Sequence, residues 1–81
     1  MLESARQLLQ IMATNRRRYA EWEKLRIDRI GKLVPAETDV HELVTFVVHH
    51  EWAKYTKKRD ESGDLIPAIK LRYEKYQALT S

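Results

Sequence analysis

The hydrophobic positions of the chain fall into three segments, separated by its few glycines and prolines. There are two of each: Gly31 is followed by Pro35, and Gly63 by Pro67. Glycine commonly ends a helix, and proline commonly lies just beyond a helix or in its first turn. Within each segment the apolar residues recur at steps of three and four, as they do on one face of a helix. The pattern therefore predicts three helical segments.

The first segment extends over about residues 2 to 30. Its stripe consists of Leu8, Ile11, Met12, Asn15, Tyr19, Trp22, Leu25, Arg29 and Ile30. Three arginines at 16–18 interrupt the stripe, and residues 13–15 are suited to capping a new helix. We therefore predict one long helix, or two helices if the segment breaks near Thr14.

The second segment extends over about residues 39 to 60. Asp39 stands three residues before Glu42, which is the spacing of a capping box. The stripe consists of Val40, Leu43, Val44, Val47, Val48 and Tyr55. Phe46 and Trp52 widen the apolar surface beyond this stripe. So many valines also suit a strand, but the length and spacing favour a helix.

The third segment extends over about residues 65 to 79, with Asp64 as a candidate N-cap and Pro67 in its first turn. The connections between segments are short, so neighbouring helices should be antiparallel or sharply angled. The predicted fold is an all-α bundle of three helices, or four with the break, in a single domain spanning residues 1–81.

Composition narrows the class of protein. A chain of 81 residues builds a small core, so a partner chain would help it. Its hydrophobic fraction of 43% is ordinary for a folded protein, which argues against disorder. The absence of cysteine excludes disulfides and thiolate chemistry and fits a cytoplasmic protein. No apolar run approaches the roughly 20 residues that span a bilayer, so no membrane contact is expected.

The three histidines suggest a metal site that helix geometry does not support. The pairs at 41–42 and 50–51 each begin His-Glu-x-x-His, but Thr45 and Lys54 occupy the fifth positions. On one helix His41 and His49 would lie about 12 Å apart along the axis. His50 would point about 100° away, whereas a catalytic zinc needs three converging ligands. We predict no metal and no cofactor, with the histidines bordering the core.

Catalytic motifs are also missing from the sequence. It contains no Gly-x-Ser-x-Gly and no phosphate-binding glycine loop. Glu42 and Glu51 are nine positions apart and do not pair along one helix. We therefore expect the protein not to be an enzyme.

Basic residues are concentrated in two places, residues 15–32 and a second group made of Lys54, Lys57, Lys58 and Arg59, although the net charge is only +3. Residues 15–32 contain seven basic and three acidic side chains, with Tyr19 and Trp22 among them. Arginine and aromatic side chains together suit phosphate contact and base stacking. The predicted nucleic-acid contacts are Arg16, Arg17, Arg18, Lys57, Lys58 and Arg59. The alternative is a solvated helix with pairs such as Arg17–Glu21 at i,i+4 spacing.

The order of several motifs resembles that of a known family. The motifs are Trp22, Gly31-Lys32-Leu33, Asp39, Leu43, Trp52-x-x-Tyr55, Gly63, Pro67-Ala68-Ile69-Lys70 and Leu79. Their succession, from about residue 19 to 79, resembles the small terminase subunits of tailed bacteriophages with cohesive-end genomes. In that family the first helix carries the tryptophan and ends in Gly-x-Leu. The aspartate starts a second helix that carries the aromatic pair, and the proline motif opens a third.

The resemblance implies a non-catalytic, ring-forming protein that binds duplex viral DNA and modulates a large terminase subunit. It would then be a homo-oligomer located in the cytoplasm of the bacterial host cell. The predicted core or interface residues are Trp22, Val40, Leu43, Val44, Val47, Val48, Trp52 and Tyr55. The alternative is a small phage- or plasmid-encoded helical protein that binds and inhibits a host protein.

Overall fold

The computed structural model describes residues 2–80, with the side chain of residue 80 excepted. These residues form four α-helices and three strands, with one turn of 3-10 helix after the first helix. They are α1 (Leu2–Arg18), the 3-10 turn (Ala20–Glu23), β1 (Leu25–Arg26), α2 (Ile27–Ile30), α3 (Val40–His49), β2 (Ala53–Arg59), β3 (Leu65–Leu71) and α4 (Tyr73–Thr80).

The strands form one antiparallel sheet in the order β1-β3-β2. Leu25 of β1 is opposite Ile69 of β3, and β2 pairs with β3 from Ala53↔Leu71 to Arg59↔Leu65. The all-α bundle predicted from the sequence is therefore wrong. The fold is a mixed one, in which helices pack against a three-stranded sheet.

The second predicted helix is shorter than expected, although its start is confirmed. Asp39 is the N-cap of α3, and its carboxylate accepts a hydrogen bond from the Glu42 N–H at 3.2 Å. The helix ends at His49, because Glu51 adopts a left-handed backbone with φ of 62°. The chain then continues as β2, where Ala53 is buried and Lys54 exposed. The sequence predicts a helix over 39–60 because the three- and four-residue spacing of apolar positions continues beyond the end of α3, as far as Tyr55.

The third predicted helix is mostly a strand. Leu65 and Ile69 are four residues apart, which fits a helix, but Pro67 and Leu71 complete an alternation that places all four on one face of β3. Pro67 is tolerated there because β1 pairs only with residues 68 and 69, so no second strand needs its missing N–H. The helix begins only at Tyr73.

Asp64 does not cap a helix, contrary to the prediction, because it belongs to the loop that joins β2 and β3. The Asp60 carboxylate accepts hydrogen bonds from the N–H groups of Ser62 and Asp64, each at 2.9 Å. Gly63 has a φ of 86°, which side-chain-bearing residues rarely adopt. Residues 60–64 therefore form a tight hairpin turn.

The first predicted helix divides at Arg18, four residues beyond the suggested break at Thr14. The 3-10 turn, β1 and α2 follow, and Gly31 caps the end of α2 as the sequence predicts. The i,i+4 pairing expected for a continuous helix is replaced by other contacts. Glu23 pairs with Lys70 of β3, and Asp28 pairs with Arg26.

The core lies between the sheet and helices α1, α2 and α3. Its largest fully buried side chains are Leu8, Leu9, Met12, Ile30, Leu43, Val47 and Ile69. Val44 is also buried, and Trp22, Val40, Val48 and Trp52 pack partly buried against this cluster. Tyr55, predicted in the core or interface, is 55% exposed on β2. Among residues 2–80, no helix has the length and apolarity needed to cross a membrane.

The two glycines should respond differently to replacement by alanine. A Cβ at Gly63 meets nothing within 4 Å, so Gly63→Ala should cost only the left-handed backbone strain, about 1–2 kcal/mol of unfolding free energy. Gly31 has a helical φ of −58°, and its added Cβ lies 3.7 Å from Val40. Gly31→Ala should therefore leave stability unchanged or raise it by up to about 1 kcal/mol. Urea unfolding measures both, and equal effects would contradict the assigned turn.

Candidate anion-binding surface

Basic side chains from separate parts of the sequence meet in one shallow depression, here named the basic cleft. Its cations come from the end of α1, from β2, from the end of β3 and from the region where α4 begins. They are Arg16, Lys54, Lys70, Arg72 and Lys75. Leu71, Tyr73 and Glu74 complete its lining.

The register of the sheet places two of these cations side by side. Lys54 of β2 is directly opposite Lys70 of β3. Like charges in directly opposed positions destabilise a sheet by a few tenths to about 1 kcal/mol. Glu23 relieves part of this repulsion, since its carboxylate lies 3.1 Å from the Lys70 ammonium. The hydrogen bond from Lys70, aided by its charge, lowers the pKa of Glu23.

Tyr73 connects the end of α1 to the start of α4. Arg17 donates a hydrogen bond to the Tyr73 hydroxyl at 2.5 Å, and this bond lowers the pKa of Tyr73. The guanidinium carbons of Arg16 and Arg17 lie 5.2 and 5.9 Å from the centre of its ring. Both distances are within the range of cation–π attraction. The half-buried ring thus holds two arginines at the edge of the basic cleft.

The basic cleft keeps an excess of positive charge. Its five cations face three carboxylates: Glu23, Glu74 and Glu51, which lies 3.7 Å from Arg72 and 3.8 Å from Lys75. The side chains in these pairs are between 33% and 61% exposed. Exposed ion pairs contribute little free energy, so an incoming anion can replace their carboxylates at low cost.

The structure brings together only part of the predicted nucleic-acid contacts. Arg16 lines the basic cleft, Arg17 contacts Tyr73 beside it, and Arg18 lines a neighbouring depression together with Tyr73. By contrast, Lys57, Lys58 and Arg59 lie toward the hairpin turn.

Two of these three side chains, those of Lys58 and Arg59, donate hydrogen bonds to backbone carbonyls outside the basic cleft. The Lys58 ammonium donates to the Glu21 carbonyl at 2.8 Å, and Arg59 donates to the Gly63 carbonyl at 2.7 Å. The carbonyl of Lys57 accepts from the Lys24 ammonium at 3.5 Å.

Lys70, Arg72 and Lys75 are not among the contacts predicted from the sequence, and Lys54 is only a member of the second basic group there. These cations are isolated along the chain, and only the pairing of β2 with β3 brings Lys54 and Lys70 together. The one available signal was the run of basic residues on both sides of Tyr73. The sequence pattern does not reveal this signal, because the same stretch also fits a single helix.

Two of the histidines, His49 and His50, take part in aromatic packing. The His50 ring stacks on Trp52 with centres 4.7 Å apart and an angle of 15° between planes. Phe46 meets the same histidine edge-on at 4.5 Å. Within residues 2–80, no three His, Asp or Glu side chains are grouped so as to hold a metal ion.

Comparison with known proteins gives no match to a protein-family model, to a curated protein or to a solved structure. The terminase resemblance therefore rests on the order of its motifs. The structure corrects the helical placement that this resemblance implies. Trp52 precedes β2, Tyr55 lies within β2, and residues 67–70 lie within β3.

Replacing Arg17 should raise the pKa of the Tyr73 phenol. The Arg17 hydrogen bond favours the phenolate, so the pKa is lowered in the folded state. The lowered pKa therefore stabilises the folded state fully above the pKa of an unfolded tyrosine, about 10. This contribution is lost as the pH falls through the folded pKa. An ultraviolet titration should show Arg17→Gln ionising one tyrosine at higher pH than the wild type, and Tyr73→Phe should remove that transition. Identical titrations of wild type and Arg17→Gln would contradict the hydrogen bond from Arg17 to Tyr73.

Proposed function

We propose that this chain is a non-catalytic nucleic-acid-binding protein that contacts the phosphate backbone of duplex DNA through the basic cleft. The observation that carries the proposal is the convergence of Arg16, Lys54, Lys70, Arg72 and Lys75 from separate elements. Phosphate contacts from lysine and arginine supply most of the affinity of non-specific DNA binding. The directly opposed Lys54 and Lys70 support the same function, since their repulsion falls when a polyanion binds.

The chemistry of the basic cleft favours binding that is independent of base sequence. Direct reading of bases requires side chains on an element that enters a groove. In helix-turn-helix proteins the second helix does this, and here α3 would take that place after α2. However, α3 contains no lysine or arginine, and its exposed positions include His41, Glu42 and Thr45.

The neighbouring hairpin turn is also unsuited to DNA, since it carries Asp60, Glu61 and Asp64. Carboxylates at these positions repel phosphates. We therefore place the DNA at the basic cleft and away from α3 and the turn.

Within this function, DNA packaging is the narrower hypothesis. It would add a homo-oligomer, a large terminase subunit as partner and the cytoplasm of a bacterial host cell as location. The order of the motifs along the chain supports it. A ring also suits a small chain that exposes apolar side chains at Tyr55 and Leu65, which are 55% and 56% exposed.

The second candidate is a small protein that binds and inhibits a host protein. An apolar depression between α2, α3 and the sheet favours it, because such surfaces often mark protein contacts. It is lined by Ile27, Asp28, Gly31, Val40, His41, Val44, Tyr55 and Pro67. A tight complex with a host protein, without DNA binding at low salt, would select this candidate.

Two lysines on β2 provide a matched test of the proposed DNA surface. Lys54→Gln removes a cation of the basic cleft, whereas Lys57→Gln removes the same charge from the other face of the same strand, nearer the turn. Lys54→Gln should weaken duplex binding by about three- to tenfold at low salt. It should also reduce the slope of log K against log[salt] by about 0.9, the value of one phosphate contact. Fluorescence anisotropy with a labelled duplex measures both quantities.

The control should behave nearly as the wild type does, apart from a small long-range effect of charge. A larger loss of duplex affinity in Lys57→Gln than in Lys54→Gln would place the DNA-binding surface near the hairpin turn. Absence of salt-dependent binding by the wild type would overturn the proposal itself.

A further inference from the structure

Glu51 holds an unusual backbone conformation beside the basic cleft. Its φ of 62° is the one positive φ of a non-glycine residue in the described part of the chain. It follows the end of α3, a place where helices commonly use glycine because a Cβ opposes the left-handed conformation. This chain has glutamate there instead, with a long charged side chain. The strained conformation of Glu51 therefore calls for an explanation other than the need for a turn.

The side chain at this position reaches two cations of the basic cleft. A carboxylate oxygen of Glu51 lies 3.7 Å from an Arg72 guanidinium nitrogen, and the other lies 3.8 Å from the Lys75 ammonium. Backbone pairing fixes this arrangement, because the Arg72 N–H donates to the Trp52 carbonyl at 2.8 Å. Trp52, the residue after Glu51, is thereby hydrogen-bonded to Arg72, which is one of the two cations that Glu51 contacts.

These contacts are loose. Both distances are long for charge-assisted hydrogen bonds, which are usually about 2.7–2.9 Å. The Glu51 side chain is 61% exposed, and its partners are 42% and 53% exposed. A carboxylate held in this way offsets positive charge in the free protein, yet it can swing into solvent when a stronger anion arrives.

We propose that Glu51 is a specificity-determining residue of the basic cleft, an internal counter-ion that occupies the position of one phosphate between Arg72 and Lys75. The inference rests on the proposed function. A single small anion gains only these two cations and must displace a tethered carboxylate. A nucleic-acid backbone contacts Arg16, Lys54 and Lys70 as well, so it displaces Glu51 and gains the whole cleft. Glu51 thus sets the preference for polyanions over isolated phosphate groups.

The test compares Glu51→Gln with Glu61→Gln, which removes the same charge from the hairpin turn. Glu51→Gln should bind a short labelled duplex about three- to tenfold more tightly at low salt than Glu61→Gln does. Its slope of log K against log[salt] should be steeper by about 0.9 to 1.8, for one or two cations made available. A residue with only a structural role would leave this slope unchanged.

Glu51→Gly serves as the second variant, because glycine accepts the positive φ without strain. It should fold at least as stably as Glu51→Gln and show the same gain in affinity and slope. The inference would be overturned if the wild type binds the duplex but neither Glu51 variant binds it more tightly than Glu61→Gln does. The proposed function would remain intact in that case. Absence of duplex binding by the wild type and all variants at low salt would overturn both.

Discussion

The antiparallel register of β2 and β3 is the constraint on which the rest of the structure depends. Side chains alternate between the two faces of a strand, so a slip of one residue would exchange the faces. In the observed register Ala53 is opposite Leu71, and both are buried in the core. The next pair, Lys54 and Lys70, therefore points to the opposite face. One set of backbone hydrogen bonds thus defines the core and the basic cleft together.

The cleft has an electrostatic cost that the core must offset. Burial of the core side chains contributes about 1.5–3 kcal/mol for each large aliphatic residue, which exceeds the repulsion of one opposed lysine pair. Glu23 lowers that repulsion through its exposed ion pair with Lys70, and Glu51 offsets the charges of Arg72 and Lys75. The resulting surface is stable in the free protein and retains cations that a polyanion can contact.

The sequence predicts those features that depend on neighbours along the chain. The helical stripes of α1 and α3 are visible in it, and Asp39 is correctly identified as a cap because its partner is three residues away. Gly31 is likewise correct as the end of a helix. The strands were missed because Leu65 and Ile69 satisfy a four-residue step as well as a two-residue step. Pro67 was equally misleading, since it suits a first helical turn as well as a one-sided strand.

The candidate site was only partly predictable for a related reason. Arg16 and Arg17, which lie in and beside the basic cleft, are predicted as contacts because they are consecutive and their run is visible without a fold. Lys70, Arg72 and Lys75 acquire their role from the pairing of β2 with β3 and from contact with α1, which local spacing does not reveal. Lys57, Lys58 and Arg59 are predicted as contacts because they form a run, and the structure places them toward the hairpin turn, apart from the basic cleft.

The most direct test of the central claim is to map the amide NMR shifts of the protein during titration with duplex DNA. We expect the largest changes at residue 16, at residue 54 and across residues 70–75. The α3 amides of His41, Glu42 and Thr45, and those of the hairpin turn at 60–64, should change little. Changes concentrated on α3 and the turn, or no saturable changes at low salt, would contradict DNA binding through the basic cleft.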